Sequence, residues 1–208
     1  MGDRFDSLPL FPLGLVLLPE EVVPLHIFEE RYKLMVGECL ERESEFGILW
    51  MADDGLKDVG CTARVMEVLE RMDDGRMNIL IRGTDPFRLL RRIEALPYPA
   101  GDVELLDEEE APLPGDAADE VRERYAELVE RVTDSRPEDP DLEVLDAYGM
   151  AATLDFALEA KQDLLELRSE GLRMERLREL FGSTIQRIEQ AAVTAERART
   201  NGHLRTSS

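Results

Sequence analysis

The sequence predicts an α+β chain: a β-rich, barrel-like first part with one helix, then a helical second part. Three observations carry this. Short apolar segments alternate with turn residues up to about residue 106. Apolar residues recur at helical spacing beyond about residue 117. Between them, residues 102–120 hold nine acids and no base, with Pro112, Pro114 and Gly115 among them. Proline removes a backbone donor and opposes both helix and strand. Residues 107–116 are therefore expected to be a linker between 1–106 and 117–208.

Each element has its own signal. Residues 8–18 are apolar but broken by Pro9, Pro12 and Gly14, which suits short extended pieces. Residues 22–28 form a second strand. In residues 29–41 the period changes: Tyr32, Met35, Val36, Cys39 and Leu40 share one helical face. Residues 46–51 are a short strand. Residues 61–72 and 76–82 flank Asp73-Asp74-Gly75, where glycine supplies the positive φ of a hairpin turn. Residues 86–94 and 103–106 complete the β part. Val121, Tyr125, Leu128, Val129 and Val132 line the next helix. Asp139-Pro140 opens another, expected over 141–156, because proline is tolerated in a first turn. A short helix over 159–168 follows. A long helix then carries Leu177, Leu180, Phe181, Ile185 and Ile188, with a frayed polar tail over 200–208.

Composition excludes several functions. The chain has 208 residues and a formal charge of −21, from 25 Lys+Arg and 46 Asp+Glu. So negative a surface repels nucleic acid and anionic lipid. No apolar run is long enough for a membrane span, and the N-terminus lacks a basic region leading into an apolar stretch. Only Cys39 and Cys61 occur, which gives neither a disulfide framework nor a zinc pattern. The expected compartment is the cytoplasm.

A set of short motifs in fixed order carries a family resemblance. Leu8-Pro9-Leu10-Phe11-Pro12-Leu13 is followed by Val16-Leu17-Leu18-Pro19. Next come Pro24-Leu25-His26-Ile27-Phe28-Glu29-Glu30-Arg31-Tyr32 and Met35-Val36. Phe46-Gly47-Ile48, Val59-Gly60-Cys61-Thr62-Ala63, Asp74-Gly75-Arg76, Gly83 with Phe87-Arg88, and Pro97-Tyr98 continue the series. Lys161-Gln162-Asp163-Leu164-Leu165-Glu166 and Arg176-Leu177 end it. The ordered set, over roughly residues 7 to 181, resembles the N-terminal domain of Lon proteases. Glu20 stands where that family usually has glycine, and Pro86 where it usually has arginine. The resemblance implies a PUA-like β pseudobarrel followed by a helical bundle. It also implies recognition of unfolded or degron-bearing proteins for a separate ATP-driven protease. Cereblon, a ubiquitin-ligase receptor with a similar domain, fits such a role.

Catalytic parts are not apparent. The three lysines, Lys33, Lys57 and Lys161, each precede a residue other than Ser or Thr, so there is no Walker A motif. The chain is expected to be a standalone recognition domain, with no cofactor, that hydrolyses neither ATP nor peptide. His26 alternates with Val22, Pro24 and Phe28 and reads as structural; His203 lies in the tail. Cys39 reads as a core residue, and Cys61 has no histidine nearby. Asp53-Asp54 and Asp73-Asp74 precede glycines and read as turns rather than calcium ligands.

If the chain binds other chains, apolar capture along a sheet is the expected physics. Met51, Met66, Met72 and Met77 supply adaptable side chains to the β part. Strict alternation across the hairpin puts Met66, Val68, Met72 and Leu80 on one face, the expected peptide-binding surface. Val65, Leu69, Met77, Ile79 and Ile81 then share the other. Two competing functions remain. The long last helix suits self-association, a homodimer or an adaptor. PUA-like folds also include RNA binders, but Arg88, Arg91 and Arg92 are the only basic cluster.

Overall fold

In the computed structural model, residues 3–110 and 115–203 are described. The fold is mixed α+β, and the chain divides into two compact units. One comprises Met1–Ala111 with Asp146–Arg173; the other comprises Pro112–Leu145 with Met174–Ser208.

The first unit is built on six strands: β1 (Arg4–Leu13), β2 (Val22–Ile27), β3 (Phe46–Ala52), β4 (Gly55–Arg71), β5 (Met77–Ile93) and β6 (Ala100–Leu105). Their order is β2-β5-β4-β3-β1-β6, and β6 also pairs with β5. The ladder therefore closes into a ring of five strands, which leaves no free edge there. Among the described strands, β2 alone has a single strand partner, β5. The single helix of the β part, α1 (Glu30–Arg42), buries Tyr32, Met35, Val36 and Cys39, the i, i+3, i+4, i+7 stripe of the sequence. Phe11 stacks on Tyr32 at 4.0 Å between ring centroids.

The expected separate strands over 76–82 and 86–94 are one 17-residue strand, β5. Proline at Pro86 does not break it, because a bulge at Cys61/Ala63 relaxes the ladder beside it and its carbonyl accepts from Leu106 N at 2.9 Å. Gly75 has φ +82°, as the hairpin turn requires. Gly83 serves a different end. The segment Leu18–Glu21 lies on it through Glu20 N→Gly83 O and Gly83 N→Glu21 O, both 3.0 Å, and a Cβ there would stand 2.1 Å from Leu18 O. Glu20 itself sits at φ +66°, a conformation glycine would adopt without strain, and pairs with Arg82.

The expected helix over 141–156 is two short ones, α3 (Asp139–Glu143) and α4 (Ala147–Ala152). The break has a local cause. Asp146 caps a new helix, accepting from Gly149 N at 2.7 Å. With α5 (Leu158–Glu166), α4 belongs to the β unit. Lys161 Nζ lies 2.5 Å from Glu21, Gln162 Nε2 donates to Val59 O at 3.2 Å, and Arg173 grips Glu108 at 2.7 Å while lying over Tyr148.

The second unit contains α2 (Gly115–Thr133), α3 and most of α6 (Glu170–His203). Val121, Tyr125, Leu128, Leu177, Phe181 and Ile185 are buried, with the Tyr125 and Phe181 rings 5.9 Å apart. Val132, read as part of that stripe, is exposed instead. Of the expected linker, 107–110 has no regular structure, 111–114 lie outside the described residues, and α2 begins at Gly115. Helix α6 reaches into the expected tail as far as His203, and 204–208 lie outside the described residues.

Candidate recognition surface

The half of the β4–β5 hairpin beyond the ring forms an arm. Residues 64–71 of β4 pair with 77–82 of β5, and β5 pairs in turn with β2. The inner row follows from the ladder. Ile81, Ile79 and Met77, all buried, lie opposite Val23, Leu25 and Ile27 of β2. Directly paired residues share a face. The outer row is therefore Val22, Pro24 and His26, opposite Arg82, Leu80 and Asn78. Val22 and Phe28 are exposed large apolar residues, and Phe28 stacks on the His26 ring at 5.9 Å. His26 sits on the face expected for it, with Nδ1 2.6 Å from Asn78 Oδ1. Asn78 in turn donates to Glu70 at 2.8 Å.

The expected face of Met66, Val68, Met72 and Leu80 is not kept. Two bulges in β4, at Met66 and Leu69, each insert a residue and shift the alternation. Val68 consequently pairs with Ile79 of the inner row, whereas Leu80 pairs with Glu67 and Pro24 of the outer row. Met72 closes the turn, its N–H donating to Arg76 O at 2.8 Å. Met66 and Leu69, the bulged residues, are about half exposed. All four residues lie on the arm, but not on one surface. Sequence reasoning missed Phe28 and Leu69 as exposed apolar groups; the bulges leave no mark in the hydrophobic pattern.

The groups considered for chemistry have ordinary structural roles. Burial pushes both thiols up, Cys61 well above the usual range, so neither is a ready nucleophile. Asp74 accepts from the backbone and side chain of Arg76, which holds its carboxyl below the usual range. Asp54 is held low by Lys57, 2.8 Å away, in the turn before Gly55. Among the described residues no cluster of three or more His, Cys, Asp or Glu is placed to hold a metal ion.

Among the clefts that open on the β unit are three with distinct linings. One of about 700 Å³ lies between Trp50, Asp53, Asp54 and Lys57 and the α5 residues Glu159, Gln162, Asp163 and Glu166. A smaller apolar one of about 380 Å³ is lined by Leu10, Leu56, Ile93, Leu96 and Tyr98. The third, about 980 Å³, lies between Phe5, Leu8, Arg42 and Tyr98. Nothing in the sequence pattern joins residues 50–57 to 158–166.

Comparison with known proteins agrees with this fold. The family model described as the ATP-dependent protease La (LON) substrate-binding domain matches residues 7–181. Lon protease of Paraburkholderia phytofirmans is 26% identical over 211 residues, covering 93% of this chain and 26% of the relative. Lon protease of Parabacteroides distasonis is 27% identical over 112 residues, covering 50% and 14%. The chain thus spans about a quarter or less of these curated relatives' length. Among solved structures, a Lon N-terminal domain protein from Xanthomonas campestris superposes with a TM-score of 0.64 at 26% identity, covering 83% of this chain and 97% of that one. The N-terminal domain of a Mycobacterium avium complex Lon protease gives 0.63 at 18% identity, covering 85% and 98%, a likeness of fold.

Proposed function

Because the chain belongs to the family of Lon substrate-binding domains, we propose that it is a protein- or peptide-recognition module whose residues carry no ATPase or peptidase chemistry. The β unit is read as a PUA-like pseudobarrel, the second unit as a helical bundle, and the setting as the cytoplasm. Among the described residues no helix is long and apolar enough to cross a membrane. Clients are unfolded or degron-bearing polypeptides, presented to a separate protease.

One observation supports the arm as the binding surface. Strand β2 has a single strand partner and carries Val22 and Pro24, with His26, on its outer row beside Leu80, and the exposed Phe28 follows just beyond its end. An extended client can add to such an edge, its side chains resting on the row. Pro24 lacks a donor, which limits unwanted pairing while leaving the apolar contact. Met66, half exposed on its bulge in β4, adds an adaptable side chain to the arm. Val68 and Met72 stand less well for this role, being inward-paired and turn-closing.

The test is capture of a reduced, unfolded globular protein by the wild type and by the double variant Met66→Ser, Leu80→Ser. Capture falls in the variant while the far-UV spectrum is unchanged. Equal capture removes this surface from the proposal. An assembly or adaptor role through α6 has less support, since Leu177, Phe181 and Ile185 are already buried.

A further inference from the structure

The cleft of about 380 Å³ is the mouth of the β ring. Each of the ring's strands lends it a residue: Leu10 from β1, Met51 from β3, Leu56 from β4, Ile93 from β5 and Ala100 from β6. Leu10 belongs to the buried core of the ring and Leu56 packs against that core, so the floor of the cleft is the core itself. Such a lining at a barrel mouth suits an apolar group.

The charged groups decide what that apolar group carries. Arg92 pairs with Gly101, which pairs on its other side with the buried Leu8. Directly paired residues share a face, so Arg92 ends the inward row of β5. Its neighbour Arg91 is held by Asp102 at 2.6 Å. Arg31, also in the lining, is held by Glu29 at 2.8 Å and lies over the Tyr32 ring. Arg92 has no ion pair or hydrogen bond with any described residue. In a chain of 46 acids and 25 bases, a cation left unengaged at the end of an inward row is open to an anion from outside. A carboxylate matches its guanidinium best, through two parallel N–H donors. Glu94, two residues on, lines the same cleft and disfavours any second acid.

An apolar group and a single carboxylate must then arrive together. Along an extended chain adjacent side chains point to opposite faces, so an internal acid and its apolar neighbour do not enter one small cleft. The last residue of a polypeptide carries both groups on one Cα. We infer that the mouth of the ring receives the C-terminal residue of a client, its apolar side chain against Leu10 and Leu56 and its α-carboxylate at Arg92. The inference rests on the recognition reading above and adds a preference for one end of a client to the apolar capture of the arm.

The probe is a short peptide ending in leucine, with a dye at its N-terminus, prepared as the free acid and as the C-terminal amide and followed by fluorescence anisotropy. The acid binds saturably and about tenfold more tightly than the amide, and the difference shrinks as salt rises. A peptide ending in aspartate binds more weakly than the leucine acid. Arg92→Gln, at an exposed position, brings the acid down to the amide, whereas Arg88→Gln, exposed on the same strand outside the cleft, leaves the preference intact. Equal binding of acid and amide, no saturable binding of the acid, a preference that survives in Arg92→Gln, or one lost equally in Arg88→Gln overturns the inference. Octanoate binding as tightly as the peptide overturns the polypeptide assignment. The two readings fail separately. If unfolded protein is captured but acid and amide bind alike, only the cleft is lost. If the acid peptide is preferred through Arg92 but nothing unfolded is captured, the cleft stands and the reading of the arm falls.

Discussion

The two halves of the β4–β5 hairpin use the same two strands differently. At the root, Val59, Gly60, Cys61, Thr62 and Ala63 are all buried, with Gly83 and Phe87 opposite. In the arm, β4 exposes Arg64, Met66, Glu67, Leu69, Glu70 and Arg71 and carries two bulges. The root is closed on both edges by the ring and has no spare volume. The arm meets β2 along β5 only, and its β4 edge has room to distort. The comparison separates what holds the fold from what is free to bind, and substitutions at the root are therefore expected to cost far more than those in the arm.

The largest expected effect is at Gly83. A side chain there would push into Leu18 O at 2.1 Å, and a backbone atom cannot swing aside as a side-chain tip can. Gly83→Val is expected to cost about 4 kcal/mol or more, measured by urea unfolding. Wild-type stability in that variant would mean that the 18–21 segment is not seated on the strand. Next is Phe87, fully buried over Gly47 and Gly60, where added Cβ atoms would stand 2.6 and 2.9 Å from its ring. Phe87→Ala is expected to cost about 3–5 kcal/mol by the same measurement.

Tyr148 tests whether the returning helices are anchored as firmly as the root. Burial pushes its hydroxyl up to about 12, against a smaller opposing effect of Arg173. The native state keeps the proton after an unfolded tyrosine has lost it. This contribution is thus full below about pH 10 and is lost as pH rises through 12. Its size is about 3 kcal/mol across that window, and Tyr148→Phe should flatten the alkaline fall in stability. An unaltered alkaline limb in Tyr148→Phe would show that the ring is not sealed from water in solution.

Several elements were legible because local periodicity and turn residues report them directly. The α1 stripe, the β2 alternation that set His26 outward, and the glycine turn at Gly75 are all local signals. The pairing register of the arm was not legible. A bulge inserts one residue without altering composition, so strict alternation placed Val68 with Leu80 when the register separates them. The split of the 141–156 helix had a visible sign, Asp146 three residues before Gly149, but apolar spacing outweighed it. The Trp50–α5 cleft joins residues more than 100 apart in sequence, which no local pattern records.

The smallest expected effect on stability belongs to Met66, and it is the one that gives the comparison functional meaning. Met66 is 52% exposed on a bulge that already interrupts the ladder. Little apolar area leaves the interior when it is truncated, and a serine there can bond to water. Met66→Ser should therefore change unfolding stability by less than about 0.5 kcal/mol. If its exposed side chain is instead used to hold clients, the same change lowers capture of unfolded protein well beyond that margin, because a contact made only in the complex leaves the free protein untouched. Measured together, stability and capture separate the two halves of the hairpin. A root substitution lowers both in proportion, whereas an arm substitution lowers capture alone. A Met66→Ser variant that loses stability by more than about 1 kcal/mol would place this residue with the packed interior and erase the distinction.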